Sequence, residues 1–376
     1  MKVLFACGGT AGHINPAIAV AQRLQALDPE TEVLFVGTAD RMEAELVPHA
    51  GYPFRTVTVS SFSRSLSAEG LRHNLAAAKN ALTSTREARK IVRAFAPDIA
   101  VGTGGYVCYP VLKAAAQLNV PTLVHESNAV PGLTTKMLLP DVDRVLVGFE
   151  ESRKHYGDPS RVFVTGTPVR TGFSDCTKDE AKQKLGLPVD QPLVVSLWGS
   201  LGARIMNEKI TEMIAAAGEN PGFRLIHSAG KGGYDAVAKK LGETCPFDLP
   251  SSGYDVRPYI YDMPLVMAAA DLVLCRAGAS TLAELTYLGK PAILVPSPYV
   301  TNNHQEKNAR VLEHAGGAKV LLEKELTGAD LLAAIRSLLS DSASLDRMAG
   351  NMKACGVPEA TERIADMVLE MAAAYK

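Results

Sequence analysis

Three short segments in the first half of the chain combine glycine with histidine or hydroxyl groups at places where a chain turns. Gly8-Gly9-Thr10-Ala11-Gly12-His13 follows the apolar run Lys2–Ala6 and precedes Asn15-Pro16 and a helical pattern. A strand that enters a glycine-rich turn and then a helix N-terminus makes an anion or sugar platform, because backbone N–H groups can approach the ligand and the helix dipole favours negative charge. His13 lies in that turn and could take a proton near neutral pH. The same residues also describe an ordinary tight turn with a surface histidine. The dinucleotide fingerprint G-x-G-x-x-G is absent from it. Gly102-Thr103-Gly104-Gly105-Tyr106 and His125-Glu126-Ser127-Asn128-Ala129-Val130-Pro131-Gly132 again follow strand-like runs. Three polar loops at strand ends of one domain point to a binding edge.

The second half repeats the arrangement. Trp198-Gly199-Ser200-Leu201-Gly202-Ala203-Arg204 approaches the G-x-S-x-G nucleophile elbow, but Trp198 stands at its first position, so a serine hydrolase is rejected in favour of a phosphate-facing turn. Arg276-Ala277-Gly278-Ala279-Ser280-Thr281-Leu282-Ala283-Glu284 joins a buried strand to a helix whose first turn carries two hydroxyls. A diphosphate would meet unpaired N–H groups there. Glu284, one turn on, could accept both hydroxyls of a ribose, or could instead serve as a capping-box partner of Ser280 or Thr281. His304-Gln305 follows a loop rich in Pro and Asn that could reach sugar hydroxyls. Asp141-Val142-Asp143 resembles a D-x-D metal clasp but reads as a solvated turn, and no other cluster has metal spacing, so no metal or other cofactor is expected.

These motifs need elements to hold them. The strand-like runs Lys2–Ala6, Glu32–Gly37, Phe54–Val59, Ile99–Gly102, Thr122–His125, Arg144–Val147 and Arg161–Val164 alternate with helical patterns at Asn15–Leu27, Ala39–His49, Glu69–Phe95, Tyr109–Gln117 and Gly132–Leu139. That alternation predicts βαβ units and a parallel sheet. It breaks at Thr165-Gly166-Thr167-Pro168 and restarts from Leu193, with a strand at Val256–Ile260 among its members. The expected division is therefore 1–166 and 167–356, with the amphipathic helix 357–376 packing back on the first domain. Two doubly wound α/β domains in tandem imply a cleft between them, since open α/β sheets bind ligands at the carboxyl ends of their strands.

The bulk properties exclude several classes. A chain of 376 residues suits two domains. A net charge of −1 argues against a nucleic-acid partner. Six scattered cysteines read as free thiols of a reducing cytosol. The N-terminal apolar run is too short for a signal peptide, and no stretch approaches the ~20 apolar residues of a spanning helix. Residues 64–93 carry Arg64, Arg72, Lys79, Arg86, Arg89, Lys90 and Arg93 against Glu69 and Glu87, with Leu71, Leu75 and Leu82 on one side. Such a segment could rest on an anionic membrane face, at about 1 kcal/mol per basic residue. It could equally be a solvated helix.

The ordered set GGTAGH, GTGGYV, HESNAVPG, TGTPVR, GSLGAR, RAGASTLAE and NHQ, spread over nearly the whole chain, resembles the MurG family of glycosyltransferases. The resemblance implies a glycosyltransferase-B fold of two Rossmann-like domains. It also implies a metal-independent, inverting transfer of N-acetylglucosamine from UDP-GlcNAc to undecaprenyl-diphospho-muramyl-pentapeptide (lipid I), at the inner face of the bacterial cell membrane. The donor contacts it carries over are Thr10, Ala11, Gly12, Asn128, Arg170, Ser200, Ile260 through its backbone, Ala279, Ser280, Thr281, Leu282, Ala283, Glu284 and Gln305. Glu284 would hold the ribose, Ser200 a phosphate and Gln305 the sugar, while Gly104, Gly105 and Tyr106 would lie on the acceptor side. His13 is the first candidate for the base and Glu126 the alternative. The rival readings are another lipid or aglycone glycosyltransferase of the same fold, a UDP-GlcNAc 2-epimerase, and a non-catalytic UDP-sugar-binding subunit.

Overall fold

The computed structural model describes residues 1–59, 83–169, 173, 176–199 and 203–374. The chain divides into two compact units, Met1–Arg170 with Val357–Lys376, and Thr171–Gly356.

The first unit holds seven strands: β1 (Lys2–Cys7), β2 (Glu32–Gly37), β3 (Phe54–Thr56), β4 (Ile99–Gly104), β5 (Thr122–Glu126), β6 (Arg144–Val147) and β7 (Val162–Val164). Their order is β3-β2-β1-β4-β5-β6-β7, and the pairings are parallel. Both faces of this sheet are covered, as parallel sheets require. Val3, Phe5 and Cys7 belong to the core shared with helix Ala11–Leu27 and the C-terminal helix Ala360–Ala374. Leu4 and Ala6 face the other way, toward helix Cys108–Ala116. The C-terminal helix contributes Ile364, Ala365, Val368 and Met371 to the first core, and Arg144 bonds Glu370 at 2.7 Å. Residues 165–168 stay with this unit because the amides of Thr165 and Gly166 both donate to the Val147 carbonyl.

The second unit has six strands: β8 (Leu193–Leu197), β9 (Arg224–Ser228), β10 (Tyr254–Arg257), β11 (Leu272–Cys275), β12 (Ala292–Leu294) and β13 (Ala318–Val320). Their order is β10-β9-β8-β11-β12-β13, again parallel. Each sheet therefore reverses its winding once, between β1 and β4 and between β8 and β11. Loops leaving the carboxyl ends of those strands flank the point where such sheets take ligands. The motif loops after β1, β4, β8 and β11 are the four in question.

Two local differences from the sequence reading have physical causes. The first helix begins at Ala11 rather than Asn15, so Pro16 lies inside it; Pro16 has no N–H to return to Gly12, and the turn is held instead by His13 N to Thr10 O at 3.0 Å. Strand β10 ends at Arg257, so Ile260 follows it in a loop. That loop is braced by Arg257, which bonds Asp255 at 2.7 Å and Asp262 at 3.4 Å. Helices Lys178–Lys184, Gly328–Leu339 and Ser342–Ala354 were not anticipated. Of the expected helix 69–95, residues 83–95 are helical and 60–82 lie outside the described residues.

Candidate active site

In the first unit the glycine turn and the second glycine loop are one construction around His13. The His13 Nδ1 lies 2.8 Å from the Gly8 carbonyl oxygen. A carbonyl only accepts, so Nδ1 carries a hydrogen, and in the neutral ring Nε2 presents a lone pair. Thr103 Oγ1 donates to the His13 carbonyl at 2.7 Å, and Gly8 N donates to Gly104 O at 3.1 Å. The space is filled so closely that side chains are excluded. A Cβ on Gly105 would lie 2.4 Å from the Gly8 oxygen, and Gly105 also has φ +91°. No side chain caps the helix that starts at Ala11, so the N–H groups of its first turn are not engaged by a cap. Thr10 is exposed, Ala11, Gly12 and His13 are half-buried, and Tyr106 stands out at 45% exposure beside the pair Gly104-Gly105.

Glu126 has a different character. It ends β5, is 6% exposed, and accepts four hydrogen bonds: from Asn128 N (3.1 Å), Asn128 Nδ2 (2.9 Å), Gly132 N (2.9 Å) and Thr135 Oγ1 (2.7 Å). A carboxylate has about four acceptor sites, and here each is used to fold the loop 126–135. His125 is buried, with Nε2 2.8 Å from Gly166 O and Nδ1 3.3 Å from Ser127 Oγ. Burial pushes its imidazole below the ordinary value. It ties the loop after β5 to residues 165–168.

In the second unit helix Ala279–Leu288 starts at the carboxyl end of β11 with Gly278 as its N-cap and no side-chain cap. The capping-box alternative for Glu284 is thereby removed. Ala279, Ser280, Thr281 and Ala283 are half-buried and Glu284 is 8% exposed. Leu282 is fully buried, so it can offer a ligand only its backbone. Ile260 is likewise buried to 2% exposure, consistent with backbone contact alone. Gln305 Oε1 accepts from Ser297 N at 2.8 Å, which leaves its amide N–H groups to donate. Arg276, although it opens the motif, pairs with Glu323, donates to Val295 O at 3.0 Å and lies over the Trp198 ring. Its charge is spent inside the unit.

Residues 3–147 match the glycosyltransferase family 28 N-terminal domain, and residues 193–364 match the glycosyltransferase family 28 C-terminal domain. The chain belongs to glycosyltransferase family 28. A relative from Acetivibrio thermocellus, named UDP-N-acetylglucosamine--N-acetylmuramyl-(pentapeptide) pyrophosphoryl-undecaprenol N-acetylglucosamine transferase, is 46% identical, covering 99% of this chain and 98% of its own. The crystal structure of Acinetobacter baumannii MurG superposes with a TM-score of 0.77 at 27% identity, covering 98% of this chain and 99% of that one. A UDP-GlcNAc 2-epimerase from Neisseria meningitidis superposes with a TM-score of 0.66 at 15% identity, which shows a shared fold and no more. The fold is that of the glycosyltransferase-B class.

Arg170 and Ser200 lie outside the described residues. Asp141 and Asp143 are not a solvated turn: Asp141 pairs with Lys113 at 2.9 Å, and Asp143 accepts from Thr122 N and Oγ1, both at 2.8 Å. No group of three or more potential metal ligands occurs among the described residues. The residue that sequence reasoning missed is Glu43. It is fully buried and accepts from Gly9 N at 2.8 Å and from Thr38 N and Oγ1 at 3.0 and 2.7 Å. The one available signal was an acid inside the helical pattern 39–49, which reads as an ordinary solvated charge.

Proposed function

We infer that this chain transfers N-acetylglucosamine from UDP-GlcNAc to the 4-hydroxyl of the muramyl sugar in undecaprenyl-diphospho-MurNAc-pentapeptide, giving lipid II for peptidoglycan. The near-full-length identity to transferases so named supports the reaction. The observation that carries the mechanism is His13 Nδ1 held 2.8 Å from Gly8 O.

The muramyl hydroxyl attacks the anomeric carbon while UDP departs from the opposite face, which inverts that carbon. His13 Nε2 takes the hydroxyl proton as the new C–O bond forms, a contribution of typically ~10²–10⁴-fold. The leaving diphosphate gains charge with no metal clasp in this reading. The uncapped N-terminus at Ala279–Thr281 and the hydroxyls of Ser280 and Thr281 stabilise that charge, together with Ser200 and Arg170. Glu284 accepts from the ribose hydroxyls, the Ile260 backbone meets the base, and Gln305 donates to the sugar. Thr10, Ala11, Gly12 and Asn128 are the first unit's donor contacts in this reading, and Gly104, Gly105 and Tyr106 its acceptor contacts. The first unit is the acceptor-binding one and the second the nucleotide-binding one. Glu126 holds its loop and leaves the proton to His13.

We assign the basic segment 64–93 to contact with the membrane face on the strength of the charge and leucines in its sequence. Among the described residues no helix is long and apolar enough to cross a membrane.

The test is transfer of labelled sugar from UDP-GlcNAc to a lipid I analogue in the presence of EDTA, for wild type and His13→Ala. Wild-type transfer that falls at least ~10²-fold in the variant is expected. Donor binding without transfer by wild type would turn the assignment to another acceptor.

A further inference from the structure

One peptide group, Gly8–Gly9, is gripped at both ends. Its N–H, on Gly9, donates to Glu43 Oε2 at 2.8 Å. Its C=O, on Gly8, accepts from His13 Nδ1 at 2.8 Å. A buried carboxylate, a peptide and an imidazole therefore stand in line, although Glu43 is 34 residues from Gly9 in the chain. The carboxylate has little freedom to do otherwise. Its Oε1 is fixed by both donors of Thr38, and it packs so tightly under Gly8 that a Cβ there would lie 2.5 Å from Oε1.

We propose that Glu43 is a positioning residue for the transfer reaction, acting on His13 through the polarised Gly8–Gly9 peptide in the way a carboxylate orients a catalytic imidazole directly. Hydrogen-bonded chains polarise one another. Negative charge at the amide end enriches the Gly8 oxygen, which then grips Nδ1–H more strongly and makes Nε2 a better base. The arrangement fixes the tautomer as well as the ring orientation. No proton leaves Glu43, and no bond to it forms or breaks. The inference rests on the reading of His13 as base.

Among the described residues, other titratable groups around this cluster are Cys7 on β1, Cys108 on the helix after β4, and His125 and Glu126 on β5. Burial holds Cys7 and Cys108 above the ordinary thiol value, Cys108 at about 12. Burial holds His125 below the ordinary imidazole value. The two thiols therefore stay protonated across the range in which an ordinary imidazole titrates.

The variant is Glu43→Gln in the full chain. Its amide can still accept from Thr38, but its N–H₂ then faces the Gly9 N–H, donor against donor. The expected result is a kcat lowered about 10- to 100-fold, as for a small displacement of a reacting group. The KM for UDP-GlcNAc should stay within about threefold, as expected where an interaction made only in the transition state is lost. The acid limb of the kcat profile should move to lower pH, because the imidazole loses basicity. A merely structural role would lower the yield of folded protein and leave that limb in place. Nitrogen-15 NMR of labelled histidine in the wild type gives a second reading that needs no variant: His13 is expected as the Nδ1–H tautomer. A wild-type kcat and an unmoved limb in Glu43→Gln, with His13→Ala inactive, would overturn the relay alone. An Nε2–H tautomer in the wild type would overturn it as well. Full activity in His13→Ala would overturn the base assignment instead.

Discussion

Gly104 lies against the ring of His13 so closely that a Cβ on it would come within 2.4 Å of Cδ2 and 2.9 Å of Nε2. Its φ of +122° adds backbone strain for any other residue. Two glycine motifs about 90 residues apart in sequence are thus parts of one device, one supplying the imidazole and the other its flat backing. Gly104→Ala must push the ring aside or reshape the loop after β4. A displacement of about 1 Å at a reacting group costs up to ~10²-fold. We expect kcat to fall by about that factor, with the affinity for UDP, measured by calorimetry, little changed. Unaltered kcat would mean that the ring position does not matter to the rate.

The strand–loop–helix rhythm was legible because parallel strands buried on both faces read as short apolar runs, and the motif loops follow those runs directly. The parts that were not legible have a common cause. Glu43 acts on Gly9 across 34 residues, and no local spacing encodes such a contact. Glu126 looks like a catalytic carboxylate in sequence, and its four bonds emerge only when residues 128–135 fold around it. Two unanticipated helices did carry a signal. Thr177 with Glu180 and Thr327 with Asp330 form capping boxes at the starts of Lys178–Lys184 and Gly328–Leu339.

Those four bonds separate the roles of the two base candidates. Glu126→Gln replaces an acceptor with a donor beside Gly132 N or Asn128 N. Leaving one such buried group unpaired costs about 1–3 kcal/mol, so the loop should loosen and kcat/KM for the acceptor should drop by roughly tenfold or more. The acid limb of the pH–rate profile should persist in this variant, since His13 remains. Loss of that limb in Glu126→Gln would make Glu126 the base after all.

Glu284 offers a check on the nucleotide end. It sits on the helix that starts at the carboxyl end of β11, and the residue is buried to 8% exposure. A hydrogen bond to a charged group contributes about 1.5–3 kcal/mol. Glu284→Gln should therefore weaken UDP-GlcNAc binding by about 10- to 100-fold and erase most of the preference for a ribosyl over a 2′-deoxyribosyl donor. Competition between the two donors, scored in wild type and variant, reads this directly. An equal loss for both donors would remove Glu284 from the ribose.

Beneath the loop after β8 lies a buried chain of polar groups whose response to acid can be worked out. Trp198 Nε1 donates to Ser196 Oγ at 2.9 Å, and Ser196 Oγ lies 3.1 Å from His227 Nδ1. His227 Nε2 finds no partner among the described residues. Burial pushes the imidazole down to about 4. An unfolded histidine titrates near 6.5. Between those values the unfolded chain holds the extra proton and the native chain does not, so stability must fall as pH drops from about 6.5 toward about 4, and level off below. Trp198 is the chain's single tryptophan, so its fluorescence reports on this unit during denaturation by urea. The urea midpoint should decline across that window in the wild type. In His227→Asn, which cannot take up the proton, the decline should be distinctly shallower. Equal slopes in both would show that other groups carry the acid response of the second unit.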